Sequence, residues 1–395
     1  MTALRVTGKQ VRRDVFVVGL LATIFLILRT IGSMNRFPAD PGYDYILSAE
    51  LRGMNSWFNL DPYLHFGAHF LSWLSSLLPI QIQAVGLSLL SHSIWVLASI
   101  GIYIALWSEG LNRTTRFAGA LSLILIPVAA ESGLGNVGNI KWPLMALSIV
   151  LASTDMTIRY PRSTSVILIL SGLTNPLLLI ALVPIALRFR ISDPLTRKRL
   201  VPIALVITST FVVQAFLVGL GGLGKGRGDS RILSPWPEMG LFWWYGLLGP
   251  VLLIVGYFIG HRIFKNVPHS FALSRIALTV PVLVVASYIY GGIADRYFIA
   301  PMVLAWIVTI SLILAITKPM NVIGRIFITG AVLVAFGLPT VKWFSASWYL
   351  TSGPTWSEEI NRATDDCNRD AVTVVVQVGA GNMTELDCSY ILQNS

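Results

Sequence analysis

A chain of 395 residues with 54% hydrophobic and only 12% charged side chains lacks the polar surface of a water-soluble domain, which carries about 25% charged residues. The net charge of +10 does not point to nucleic acid, because Lys and Arg fall mostly in short loops between apolar runs. That pattern marks cytoplasmic membrane loops facing anionic lipid, and it predicts an all-α polytopic membrane protein with about eleven spans of about 20 apolar residues each.

The basic N-terminus (Arg5, Lys9, Arg12, Arg13) is placed in the cytoplasm, and Val15 to Ile31 forms a first span that is retained rather than cleaved. A long outer loop follows over 34–79. Its second half, Trp57 to Leu78, is aromatic and amphipathic, as expected of helices lying in the membrane interface. Span two runs from about Gln83 to Trp107, and span three, after Arg113 and Arg116, rises to Ala130. A short outer loop with Glu131, Asn136, Asn139 and Lys141 leads to span four, which ends before Arg159 and Arg162.

The stretch Ser163 to Leu187 carries Gly172, Asn175 and Pro176 at its middle and predicts two half-helices meeting near the outer face. Such a break is tolerated only where irregular backbone is buried or lines a cavity. The inner cluster Arg188, Arg190, Arg197, Lys198 and Arg199 precedes span seven, which ends in a Gly-rich outer loop over 219–237. Span eight covers Gly240 to Ile259, span nine ends near Tyr290, span ten starts at Arg296, and span eleven ends near Val341.

The tail, 343–395, is then extracytoplasmic, and its β-branched stretch Ala371 to Val378 predicts a small α/β appendage. Cys367 and Cys388, the two cysteines, both lie in it. On the outer side they can pair, with two free thiols as the alternative. Three units result: a membrane module over 1–190, a second set of spans over 191–342, and the tail.

The acids follow this topology unevenly. Outside the tail, only Asp14, Glu109, Asp155 and Asp193 fall inside, whereas Asp40, Asp44, Glu50, Asp61, Glu131, Asp229, Glu238 and Asp295 fall outside. The segment Asp40-Pro-Gly-Tyr-Asp44-Tyr-Ile-Leu-Ser-Ala-Glu50-Leu51 sets carboxylates just above the membrane. There a carboxylate can act as a general base on a hydroxyl, or Asp40 can start a turn and Asp44 cap the next helix. Asn136, Asn139 and Lys141 can bind sugar hydroxyls or a phosphate with Trp142 stacked on a sugar, or they can serve as helix caps beside an interfacial Trp. Glu131 needs a partner, Lys141 or Arg296, in a structural or a catalytic ion pair. Arg296 can hold a phosphate as a fork or snorkel to the interface. Lys225, Arg227 and Arg231 in the Gly-rich loop are further phosphate candidates. Gly219-x(4)-Gly224-Lys225 is not a nucleotide loop, because Gly226 stands where Ser or Thr is required. His65 and His69, four apart, are read as amphipathic packing rather than a metal pair.

The spacing Asp40-x(9)-Glu50-Leu51 after the first span resembles the Asp-Glu-x-Arg-Tyr-x(5)-Glu-Met motif of the lipid A aminoarabinose transferases and protein O-mannosyltransferases, members of the GT-C superfamily. Pro41 replaces the motif's second acid and the Tyr is displaced to Tyr45, so Asp40 and Asp44 both stay open as the base. Glu131-Ser-Gly-Leu-Gly-Asn136-Val-Gly-Asn139-Ile-Lys141-Trp142 is similar to the Glu-x(3)-Gly-Asn-x-x-Asn-x-x-Trp segment of bacterial GT-C-like membrane proteins. So are Pro62-Tyr63-Leu64-His65, Ser171-Gly-Leu-Thr-Asn175-Pro176 and Arg296-Tyr297.

The resemblance implies an inverting glycosyltransferase in the plasma or inner membrane. It would move a sugar from a polyprenyl-phosphate donor to a cell-envelope glycan or lipid. Asp40 or Asp44 would be catalytic. Arg296 and Lys141 would hold the donor phosphate, Asn136, Asn139, Trp142 and His65 the sugar or acceptor, and Glu131 and Tyr297 would belong to the same substrate-binding set. Membrane lipid is the other partner, nucleic acid is not one, and no cofactor is required, although a divalent metal is compatible with the chemistry. The rival readings are a lipid-linked glycan flippase or polymerase, and a secondary transporter, for which internal repeats are expected.

Overall fold

The computed structural model describes residues 8–37, 42–58, 63–126, 129, 134–221, 249–263, 270–291, 295–317, 353–378 and 382–394. The helices run in chain order as α1 (Gly8–Thr30), α2 (Gly42–Arg52), α3 (Phe66–Ser76), α4 (Gln83–Ser108), α5 (Arg113–Leu125), α6 (Lys141–Ser153) and α7 (Met156–Arg159). They continue as α8 (Pro161–Thr174), α9 (Leu182–Ile191), α10 (Pro194–Gly221), α11 (Gly249–Ile263), α12 (Phe271–Gly291) and α13 (Ile299–Thr317). The tail holds α14 (Trp356–Cys367), β1 (Thr373–Val378), β2 (Asn382–Asp387) and α15 (Cys388–Asn394).

Among the described residues, four segments are long and apolar enough to cross a membrane: Ile80–Ser108, Pro194–Leu217, Phe271–Ile289 and Arg296–Ala315. Their burial is the reverse of a soluble helix. On α12, Phe271, Leu278, Val282, Val285 and Ile289 face outward while Arg275, Thr279 and Ser287 are buried. On α10, Leu205, Val212 and Phe216 are exposed and Thr210 and Gln214 are buried. Water would penalise those apolar stripes and hydrocarbon does not. The chain is a helical membrane protein. α1 presents the same outward stripe through Phe16, Leu20, Ile24 and Leu28.

α4 sits at the centre of the first module, packed by α1, α3, α5 and α6, and α13 packs across α5, α6, α11 and α12. α5 and α6 are shorter than the spans expected there. Each has 13 residues, or about 20 Å at the α-helical rise. The expected break is present: α8 ends at Thr174, Asn175 caps a 3₁₀ turn over Pro176–Ala181 by accepting from Leu177 N at 3.0 Å, and α9 follows. Proline at the first position of that turn has no N–H to satisfy, and Asn175 supplies the missing acceptor. Span eleven and most of the Gly-rich loop, with Lys225, Arg227 and Arg231, lie outside the described residues.

The tail folds as expected and continues past its predicted strand into a hairpin. β1 and β2 pair antiparallel from Thr373 opposite Asp387 to Val378 opposite Asn382, and Val374, Val376 and Val378 point inward. α14 opens with a capping box between Thr355 and Glu358. Cys367 and Cys388 form a disulfide across a separation of 21 residues, with Cα atoms 5.3 Å apart. A loop of that length contributes about 3 kcal/mol. Reduction, or Cys367→Ser, is therefore expected to lower the appendage's unfolding free energy by about that amount. Thiol labelling during denaturant titration checks this, and labelling as fast without reductant as with it would refute the bond.

The appendage does not hang free. Ile360, Ala363, Val374, Val376 and Leu386 share one core with Phe37, Ile46, Leu71 and Ile80 of the first loop, and with Val137 and Ile140. The first loop, the 136–140 loop and the tail therefore occupy one end of the helical bundle. The other end is held by paired charges. Tyr103 donates to Asp14 at 2.7 Å, Arg113 pairs with Asp14 at 2.6 Å, and Arg188 pairs with Asp155.

Candidate functional site

The first-loop end gathers most of the candidate residues into one aromatic and cationic cluster. Asp44 lies in the first turn of α2 with an exposed side chain, where the helix dipole favours a carboxylate. Its neighbour Tyr45 turns inward, its ring edge-on to His69 at 4.7 Å and 6.1 Å from His65. His65 stacks on Tyr63 at 4.0 Å, so each histidine packs against an aromatic ring. Among the described residues no group of three His, Cys, Asp or Glu is arranged to hold a metal.

Tyr63 accepts a hydrogen bond from Lys141 Nζ at 2.9 Å. That ammonium is buried and lies 5.6 Å from the Tyr63 ring, 5.3 Å from Trp142 and 5.8 Å from Tyr297. Aromatic faces attract a cation through their quadrupole, more strongly once it is desolvated. These contacts partner Lys141 in a place where an unpartnered ammonium would be costly. Tyr297 meets Trp142 edge-on at 5.0 Å and carries the half-buried Arg296 guanidinium 5.7 Å above its own ring.

Of the two readings open for Trp142 and Asn136, the described contacts are structural ones. Trp142 is fully buried and its indole donates to Asn139 at 3.3 Å. It packs edge-on to Tyr297 and 5.3 Å from the Lys141 ammonium, so it braces that cation. Asn136 is buried and caps the 3₁₀ turn Val137–Asn139 by accepting from Gly138 N at 2.9 Å. A β-carbon on Gly138 would lie 3.6 Å from the Tyr45 ring, which shows how closely this loop passes over α2. Asp40 and Glu131 lie outside the described residues.

One organising residue went unread in the sequence. Gln214, buried in α10, receives Leu64 N at 3.0 Å and directs its amide to Leu64 O at 2.9 Å, Gly172 O at 3.0 Å and Leu173 O at 2.8 Å. It satisfies carbonyls left open at the end of α8 and fixes Tyr63 to His65 beneath them. Thr174 adds a bond to Gly67 N at 3.1 Å. The available signal was a single amide within an apolar span, which is expensive unless paired.

Glu50, the later Glu of the motif spacing, sits at a junction of elements. It lies six residues beyond Asp44, about 120° around the helix. It accepts from Gln83 at 2.9 Å and from Tyr390 of α15, and burial raises its pKa. Glu50 is thus a joint between α2, the start of α4 and the appendage. No family model matches the sequence, and no curated protein matches it.

Proposed function

We propose that the protein is an inverting membrane glycosyltransferase of the GT-C type. In this reading it moves a sugar from a polyprenyl-phosphate donor to a hydroxyl of an envelope glycan or lipid on the non-cytoplasmic face. The observation that carries the proposal is the Lys141 ammonium, held by Tyr63 and ringed by Trp142 and Tyr297, at the same end of an apolar bundle as Asp44. A lipid-borne phosphate reaches such a site from within the bilayer, and a cation there stabilises it as it leaves.

The transfer needs few groups. A carboxylate, Asp40 or Asp44, takes the proton from the acceptor hydroxyl while that oxygen forms its bond to the sugar's anomeric carbon. The bond from that carbon to the phosphate oxygen breaks on the opposite face, and the phosphate departs with the electron pair toward Lys141 and Arg296. No strong general acid is required, because phosphate is already a good leaving group.

The purified chain, supplied with a panel of polyprenyl-phosphate sugars and envelope acceptors, is expected to release the lipid phosphate with at least one donor. Donor binding without turnover, together with movement of lipid-linked glycan between leaflets, would favour a flippase instead. The proposal also requires about eleven spans, with the N-terminus cytoplasmic and the tail extracytoplasmic. Reporter fusions after Ser395 and in the loop at Leu195 are expected to give outer and inner signals respectively, and an inner signal from the tail would place the site on the wrong face.

A further inference from the structure

α4 carries a polar seam through the middle of the bundle. Ser88, Ser91, His92, Trp95, Ser99 and Tyr103 recur at the three- and four-residue spacings that put them on one helical face. All six are buried. Its lower end is closed, because the Tyr103 hydroxyl donates to Asp14 at 2.7 Å. At its upper end His92 Nε2 lies 3.1 Å from the hydroxyl of Thr30, which itself donates to Leu26 O at 2.7 Å. The imidazole therefore donates from Nε2, and Nδ1 is left as an acceptor.

Between these ends, four polar atoms have no hydrogen-bond partner among the described residues: Ser91 Oγ, His92 Nδ1, Trp95 Nε1 and Ser99 Oγ. Their residues are between 0% and 5% exposed. The set is one obligate acceptor, one obligate donor and two hydroxyls that do either. All are neutral, so neither an anion nor a cation is matched by them, whereas a molecule that both donates and accepts is. Buried polar groups in such numbers are ordinarily satisfied by ordered water.

We propose that this seam binds a file of water entering beneath the 134–140 loop and ending above the Tyr103–Asp14 pair, a depth of about 17 Å at the α-helical rise. The mouth is set by Gly135, whose backbone is left-handed at φ +74°. A β-carbon there would lie 3.2 Å from Ser88 Oγ and 3.5 Å from His92 Nε2. The water bridges His92 Nδ1 at the mouth to Trp95 Nε1 and on to Ser99, and so gives these groups, deeper in the bundle, proton exchange with one face only. The inference is independent of any sugar transfer.

The test is hydrogen exchange of indole N–H groups in the full chain, purified in detergent and moved to deuterium oxide. Assignment uses Trp95→Phe and Trp142→Phe. Trp142 is the dry standard, equally buried but bonded to Asn139. The Trp95 indole is expected to exchange at least tenfold faster than Trp142. His92→Phe, which closes the mouth with an apolar ring, is expected to slow Trp95 toward the Trp142 rate. His92→Asn, which keeps a polar mouth, is expected to restore fast exchange. An unchanged Trp142 rate certifies the fold in each variant. Trp95 exchanging less than tenfold faster than Trp142 in the wild-type chain would overturn the proposal, as would equal Trp95 rates in the His92→Phe and His92→Asn proteins.

Discussion

Asp40→Asn is expected to lower sugar transfer by about two to four orders of magnitude while the donor stays bound, because a positioned general base contributes roughly that much. Asparagine keeps the size and most of the hydrogen bonding of aspartate and removes only basicity. Asp40 lies two residues before α2, and Asp44 lies inside that helix's first turn with its carboxylate exposed. Asp44→Asn is therefore expected to cost less, through placement of the acceptor. Arg296→Ala is expected to raise the donor concentration needed for half-saturation. The measurement is single-turnover release of polyprenyl phosphate alongside equilibrium donor binding. If Asp44→Asn abolished transfer and Asp40→Asn did not, the roles would be exchanged. Full activity in both variants would remove the glycosyltransferase reading and favour a flippase.

The parts of the fold that were legible in the sequence are those set by local pattern. Basic loops and apolar runs placed α1, α4, α10, α12 and α13 close to their observed ranges. Asn175 before Pro176 located the break between α8 and α9, because a proline and a capping side chain act within a few residues of themselves. The valine-rich stretch after Ala371 gave β1. Its partner β2, Asn382–Asp387, reads as polar and is recruited by pairing across the hairpin.

What was not legible depends on distant partners. Lys141 and Trp142 read equally as sugar or phosphate ligands and as a cap beside an interfacial Trp, and both are buried among rings contributed by 63 and 297. Glu50 fits a motif spacing and instead ties α2 to Gln83 and to Tyr390. No periodicity within α10 says that Gln214 will hold Leu64, which is 150 residues away. Each of these residues is polar, sits in an apolar setting and is satisfied by another part of the chain. The sequence marks it as costly without naming its partner.

The same long-range logic governs Trp356, whose replacement by alanine is expected to undock the appendage. Trp356 is 2% exposed and meets two separate pieces of the first-loop end, the 35–37 stretch and Ile80. Its backbone N–H donates to Asn35 O at 2.8 Å and its indole to Ile80 O at 2.6 Å, and its ring meets Phe37 edge-on at 4.8 Å. Removing a buried Trp side chain costs about 3–5 kcal/mol, which is about two to three and a half orders of magnitude in the docking equilibrium. The hairpin and the Cys367–Cys388 bond lie beyond the deleted ring, so the appendage should stay folded while it detaches. Amide exchange at residue 356 should accelerate by about a hundredfold or more, with protection between β1 and β2 retained. Trp356→Phe keeps a ring against Phe37 and should recover part of the protection, without the bond to Ile80. Asn35 and Phe37 directly precede the segment that carries Asp40, so undocking should also reduce transfer, by less than Asp40→Asn does and without loss of donor binding. Unchanged exchange at residue 356 in the alanine variant would show that Phe37, Ile80 and the rest of the shared core hold the appendage without it.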